Sequence, residues 1–132
     1  MSAYTFGPAE RAAIYSVHRE RCYLCGKPLT LKTMEVDHII PEALLLEPAR
    51  LSTVLASLGR APGFRLNSFE NWLPACGPCN NEKGQMVFEP SPIVQVQLQK
   101  AAAKAHDVAA LVAETVSERK TWNALKSLKG PR

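Results

Sequence analysis

What this sequence lacks narrows the field first. No stretch of its 132 residues holds the roughly 20 consecutive apolar residues that a bilayer-crossing helix needs. The opening, MSAYTFGPAERAAIYS, has neither a basic start nor an apolar core, so it does not read as a secretion signal. There is no internal repeat and no low-complexity segment, which excludes a solenoid or a compositionally biased linker. Cysteine numbers only four, with none left over from two close pairs. The expected compartment is the cytoplasm, where disulfides are rare and clustered cysteines more often bind metal. Apolar residues at 46% with 21% charged residues describe a globular chain, and the length fits one domain with a modest core.

The cysteines are Cys22 and Cys25 in CYLC, and Cys76 and Cys79 in CGPC, with 50 residues between the pairs. Each C-x-x-C turn presents two sulfurs to one ion, so two such pairs match a tetrahedral tetrathiolate zinc site. A staple of this kind carries a sizeable share of the folding free energy in a small domain. CGPC is also the redox motif of thioredoxin-like oxidoreductases, which requires a βαβ surrounding. Here it follows NWLPA and precedes NNEKGQ with no parallel-sheet pattern, and the redox reading leaves Cys22 and Cys25 unexplained.

Charge is unevenly placed. Residues 1–92 hold 9 Lys/Arg and 9 Asp/Glu, whereas residues 93–132 hold 7 Lys/Arg against Asp107, Glu114 and Glu118, so the net +4 lies in the tail. That tail (Lys100, Lys104, Arg119, Lys120, Lys126, Lys129 and Arg132) fits either a nucleic-acid-facing surface or a solvated helix face. Along the chain, Pro8 to Arg21 reads as a helix with His18 on its surface, and TMEVDHII as a strand over 33–40. PARLSTVLASLG forms a helix that buries Leu51, Val54, Leu55 and Leu58 and stops at Gly59. After the hinge EPSPI, a long amphipathic helix runs from Ile93 to Glu118 on Val94, Leu98, Ala101, Ala105, Val108, Val112 and Val116, and TWNALKSLKGPR reads as weakly helical and fraying.

In order, the polar signals are CYLC, VDHIIPE, ENWLPACGPCN and NNEKG. As a set over residues 22–84 they resemble the HNH endonuclease family, whose members carry C-x-x-C, D-H-I-x-P, N-L-x-x-L-C-x-x-C-[NH] and K-G in this order. The resemblance implies an α+β fold: a zinc-stapled ββα-metal core over 22–90 with a helical insertion at about 43–66, an N-terminal helix in 1–21 and a helical extension over 91–132. It implies that Asp37 is a ligand of the catalytic metal and His38 the general base. By the same resemblance Asn71 steadies the loop holding that base, Asn80 supplies a second metal ligand through its carbonyl oxygen, and the four cysteines hold a structural zinc. Lys83 would contact nucleic acid near this centre; Lys100, Lys104, Arg119 and Lys120 would do so from the tail.

The chemistry is coherent in its own right. Phosphodiester hydrolysis needs a nucleophile made from water, and a histidine, with an ordinary pKa of about 6.5, accepts that proton at neutral pH. Hard oxygens from Asp37 and Asn80 suit Mg²⁺ or Mn²⁺ better than Zn²⁺. Each residue also has a plainer reading. Asp37 and His38 alternate faces on a regular strand, Asn80 could cap a helix, Asn71 could be a turn residue, and Trp72 reads as core. The sequence departs from compact HNH domains in the long segment PEALLLEPARLSTVLASLGRAPGFRLNSFE and in Trp72 after Asn71. With its long last helix, that segment is similar to HNH effector domains of antiphage defence, where a sensor domain normally follows; the resemblance implies a nuclease module that works with a partner protein or a sensor domain. The expectation is a DNA endonuclease; the alternative is a non-catalytic zinc-bound module that binds DNA or protein.

Overall fold

A computed structural model describes residues 3–129 of the chain, with side chains to residue 128. Arg132 therefore lies outside the described residues, as does the side chain of Lys129. The described residues form an α+β structure of four α-helices and one two-stranded antiparallel sheet.

Helix α1 (Pro8–Val17) starts where Pro8 fixes the first helical φ and the Gly7 N–H donates to Glu10 Oε1 at 2.9 Å. It buries Ala13 and Ile14. The expected helix to Arg21 stops sooner, because Arg19 (φ 64°) and Glu20 (φ 60°) adopt left-handed conformations that turn the chain away. His18 caps this end rather than lying on the surface, and its Nε2 is buried without a partner. Gly26 (φ 77°) then closes the first cysteine turn, where the Cys22 N–H donates to the Lys27 carbonyl at 3.0 Å.

Strand β1 (Glu35–His38) pairs with β2 (Trp72–Ala75), so that Asp37 faces Leu73 and His38 faces Trp72 across the ladder. The strand expected over 33–40 is shorter at both ends: Thr33 and Met34 bond their N–H groups back to Thr30, and after the Ile39 N–H has met the Asn71 carbonyl, the Asn71 N–H turns to Ser68 and the Ile40 N–H to the Asn71 side chain. The long segment between the strands holds a 3-10 turn (Glu42–Leu46) and helix α2 (Pro48–Ser57), ended as expected near Gly59 (φ 67°). Helix α3 (Gly77–Gly84) follows β2 directly, with Cys76 as its N-cap.

Two apolar clusters hold these pieces. One gathers Ala13, Ile14, Met34, Val36, Trp72 and Val108; the other gathers Ile39, Ile40, Leu44, Leu55, Leu73 and Leu98. Helix α4 (Pro92–Lys129) contributes to both, through Val108 and Leu98 respectively, and so ties the segment between the strands to the N-terminal half. At 38 residues it is roughly 57 Å long. Every residue from Ala113 to Leu128 is exposed, including Val116, which was expected to face inward. The helix continues through TWNALKSLK instead of fraying at Glu118, since no glycine or proline interrupts residues 93–129.

Candidate functional site

The four cysteine sulfurs lie within 4.8 Å of one another, from parts of the chain that the sequence separates widely. Cys25 Sγ and Cys76 Sγ are 4.0 Å apart. With Zn–S bonds of about 2.3 Å, the edge of an ideal tetrahedron is about 3.8 Å, so small side-chain movements would bring the set onto one ion. The two turns are alike: the Cys25 N–H donates to Cys22 Sγ at 3.5 Å and the Cys79 N–H to Cys76 Sγ at 3.4 Å. Burial opposes ionisation of Cys22, but N–H groups of Cys25, Cys76 and Leu24 outweigh it and bring its thiol down to about 7. Cys79, hydrogen-bonded to the thiols of Cys76 and Cys25, is pushed up to about 12. Four such sulfurs could hold a metal such as zinc, which would draw off the remaining protons. The thioredoxin-like alternative finds no βαβ unit among the described residues, whose only sheet is antiparallel.

An open groove of about 1190 Å³ lies between β1, the 3-10 turn and α3, the helix that also carries Cys79. It brings together Asp37, His38, Asn80 and Lys83 from the sequence-predicted set. Asp37 is buried, and its Oδ2 accepts from the Tyr23 hydroxyl and from Lys83 Nζ at 3.0 Å. Tyr23 keeps its proton, because burial and the neighbouring Asp37 both raise its pKa. Lys83 Nζ also donates to the His38 carbonyl at 2.7 Å, so one ammonium ties α3 to β1 at two points. Lys83 is thus an internal brace, a role the sequence reading did not give it.

His38 turns to a different set of neighbours, as strand alternation requires. Its ring lies 6.0 Å from that of Trp72, edge-on, and 6.1 Å from that of Phe6. Trp72 is core, and Tyr4 and Phe6 pack on it at 4.9 and 4.7 Å. His38 Nε2 lies 2.6 Å from Asn67 Oδ1, and Asn67 Nδ2 donates to Glu42 Oε2 at 3.1 Å.

Asn71 is fully buried and far more than a turn residue. Its Oδ1 accepts from the Ile40 N–H at 2.8 Å, while its Nδ2 donates to the carbonyls of Ile40 at 3.0 Å and Leu66 at 2.9 Å. These bonds pin the turn that leaves β1 directly after His38. Asn80 does not cap α3, a place taken by Cys76; it lies inside the helix and donates from Nδ2 to Glu35 Oε1 at 2.8 Å. Gly77 permits this approach, since a Cβ there would stand 3.0 Å from Glu35 Oε2.

The bonds at Asp37 use Oδ2 and the bond at Asn80 uses Nδ2, which leaves Asp37 Oδ1 and Asn80 Oδ1 as hard oxygen donors on one groove. Two such ligands suit a hydrated Mg²⁺ or Mn²⁺ and not a closed protein cage. Among the described residues, the cysteines are the only group of three or more His, Cys, Asp or Glu gathered tightly enough to hold a metal on their own. The groove wall carries Glu35, Asp37, Glu42, Glu47 and Glu89 against Arg50 and Lys83, a field that draws cations and repels a bare phosphate. Lys100, Lys104, Arg119 and Lys120 are exposed on α4 and do not line the groove.

Tyr23, Asn67, Glu42 and the Glu35–Asn80 link were not identified from the sequence as parts of the site. Only Tyr23, enclosed in CYLC between two of the clustered cysteines, carried a positional hint. No family model, curated protein or solved structure matches this chain.

Proposed function

We propose that the chain is a metal-dependent endonuclease of the HNH type, with a ββα-metal core, hydrolysing DNA phosphodiester bonds. The observation that carries this reading is the convergence of His38, Asp37, Asn80 and Lys83 on one groove walled by the helix that carries Cys79, with Asn71 locking the turn behind His38. In the proposed reaction His38 takes a proton from water as the water oxygen attacks phosphorus and the bond to the 3′ oxygen breaks. A divalent ion bound by Asp37 and Asn80 would stabilise charge on the phosphoryl and leaving oxygens. The acidic groove is consistent with a cation preceding the phosphate. Lys83 holds Asp37 and the His38 backbone in fixed relation, so the two residues need not share a face of β1 to border the same space.

The test is incubation of the purified chain with supercoiled plasmid, with and without Mg²⁺ or Mn²⁺, beside His38→Ala. Metal-dependent nicking or linearisation is expected from the wild type and none from His38→Ala, with helix content and cysteine-bound metal unchanged. Cutting by His38→Ala at the wild-type rate would sink the mechanism. A second reading is a non-catalytic zinc-bound module, favoured by the Lys83–Asp37 pair, which already neutralises the carboxylate. It requires that no metal condition yields cutting while binding to DNA or a partner protein persists.

A further inference from the structure

The contacts around His38 fix more than its position. Glu42, as a carboxylate, can only accept, so the Asn67 side chain must turn its NH₂ towards Glu42 Oε2 at 3.1 Å. The Asn67 carbonyl oxygen is thereby left facing His38 Nε2 at 2.6 Å. An amide oxygen can only accept, so Nε2 must carry the hydrogen. Glu42 is itself fixed, since its Oε1 accepts from the Ala3 N–H at 2.7 Å. No hydrogen bond within the described residues engages His38 Nδ1, and both His38 and Glu42 line the groove.

We propose that Glu42 and Asn67 form an orienting relay that holds His38 as its Nε2–H tautomer and leaves Nδ1 as the lone pair that takes the proton from water. The relay sets polarity in sequence: the carboxylate orients the amide, and the amide orients the imidazole. Without it a neutral imidazole distributes its proton between both nitrogens, since the apolar rings of Trp72 and Phe6 favour neither. Asn67 and Glu42 are positioning residues, since neither is required to touch substrate. Outer partners of this sort alter activity by roughly 10–100-fold when removed. The catalytic use of the relay rests on the nuclease reading; the tautomer itself does not.

The experiment separates the two. The full ¹⁵N-labelled chain has only three histidines, so long-range ¹H–¹⁵N correlations of the ring nitrogens can be assigned with His18→Gln and His106→Gln. At pH values where His38 is neutral, the wild type should give a protonated-type shift at Nε2 and a bare-nitrogen shift at Nδ1. In Asn67→Ala both shifts should move towards the values of an exchanging mixture, whereas Asn67→Asp combined with Glu42→Gln, which keeps an acceptor for Nε2 and turns an amide donor to the new carboxylate, should restore the Nε2–H pattern. In plasmid cutting, Asn67→Ala should lose about 10–100-fold in kcat with KM for DNA unchanged, and Asn67→Asp with Glu42→Gln should recover most of it. A wild-type Nδ1–H tautomer, or an Asn67→Ala spectrum identical to the wild type, overturns the relay. If the spectra behave as expected but no variant cuts DNA under any metal condition, the nuclease reading fails, and the relay's catalytic use with it, while the tautomer stands. Far-UV circular dichroism on both Asn67 variants guards against reading misfolding as a tautomer change.

Discussion

Replacing Asn71 with alanine is the sharpest test of how the groove is built. The side chain is fully buried and satisfies three backbone groups: the N–H of Ile40 and the carbonyls of Ile40 and Leu66. Alanine leaves all three in a dry interior with no partner. Each stranded group costs about 1–3 kcal/mol. Carbonyls retain a second lone pair and the loop can relax, so a total near the lower end, about 3–5 kcal/mol, is expected. That is a large part of the roughly 5–15 kcal/mol that holds a domain together. With a urea m-value of about 2 kcal/mol/M, the unfolding midpoint should fall by about 1.5–2.5 M. Asn71→Asp should rescue little, because its second oxygen would face two carbonyl oxygens. The measurement is urea unfolding of the metal-loaded chains, with metal content checked in each, so that metal loss is not mistaken for a lost hydrogen bond. Amide exchange at Ile40 adds a local readout, since its protection depends on Asn71 Oδ1. A midpoint within about 0.3 M of the wild type at equal m, with Ile40 still protected, would show that the turn does not depend on Asn71.

The cysteine cluster and His18 give two further tests. Metal analysis of the purified chain should return one zinc per molecule, and Cys76→Ser should reduce it. Because zinc binding to such sites is worth about 10–16 kcal/mol, a chelator should largely abolish cooperative melting, and an unchanged Tm after complete stripping would contradict a folding role. His18 is lowered to about 4, first by burial and then by Lys104. Above its unfolded value near 6.5 both states are neutral and its effect on stability is constant. As pH falls from there towards 4 only the unfolded chain takes up the proton, so stability drops and then levels off. His18→Leu should flatten the part of the stability–pH curve between about 6.5 and 5, where carboxylates contribute least; an unaltered slope would mean that His18 is not held neutral in the fold.

Local chemistry in the chain foretold some features better than others. The C-x-x-C turns were legible because two sulfurs and a left-handed Gly26 lie within a few residues of each other. Helix α2 was legible from Val54, Leu55 and Leu58, and Trp72 from its apolar setting. Strand β2 was hidden, since WLPA is buried on both sides and shows no alternation to read. The early end of α1 depends on left-handed Arg19 and Glu20, residue types that rarely advertise that conformation. The exposed half of α4 deceived in the other direction: Val116 keeps the apolar spacing after the body it would pack against has ended. At the site, Asp37, His38, Asn71 and Asn80 stood out through an ordered motif, whereas Asn67, Glu42 and Tyr23 matter through contacts that spacing does not encode. Lys83 shows the limit most clearly, because a lysine near a helix end reads as solvated until its partner, 46 positions earlier, is folded against it.

The two cysteine pairs enclose residues 26–75, so a metal bridging them would close about two-fifths of the chain into a ring. A single break in the backbone of that ring, for instance in the exposed Ala61–Pro62–Gly63 connector, would divide the polypeptide without dividing the molecule. His38 would stay on one fragment and Asn71 on the other, joined through four sulfurs and the β1–β2 ladder. Unlike a disulfide, such a closure opens by removal of an ion and needs no electron donor. The continuity of the groove would then depend on metal supply as well as on peptide bonds.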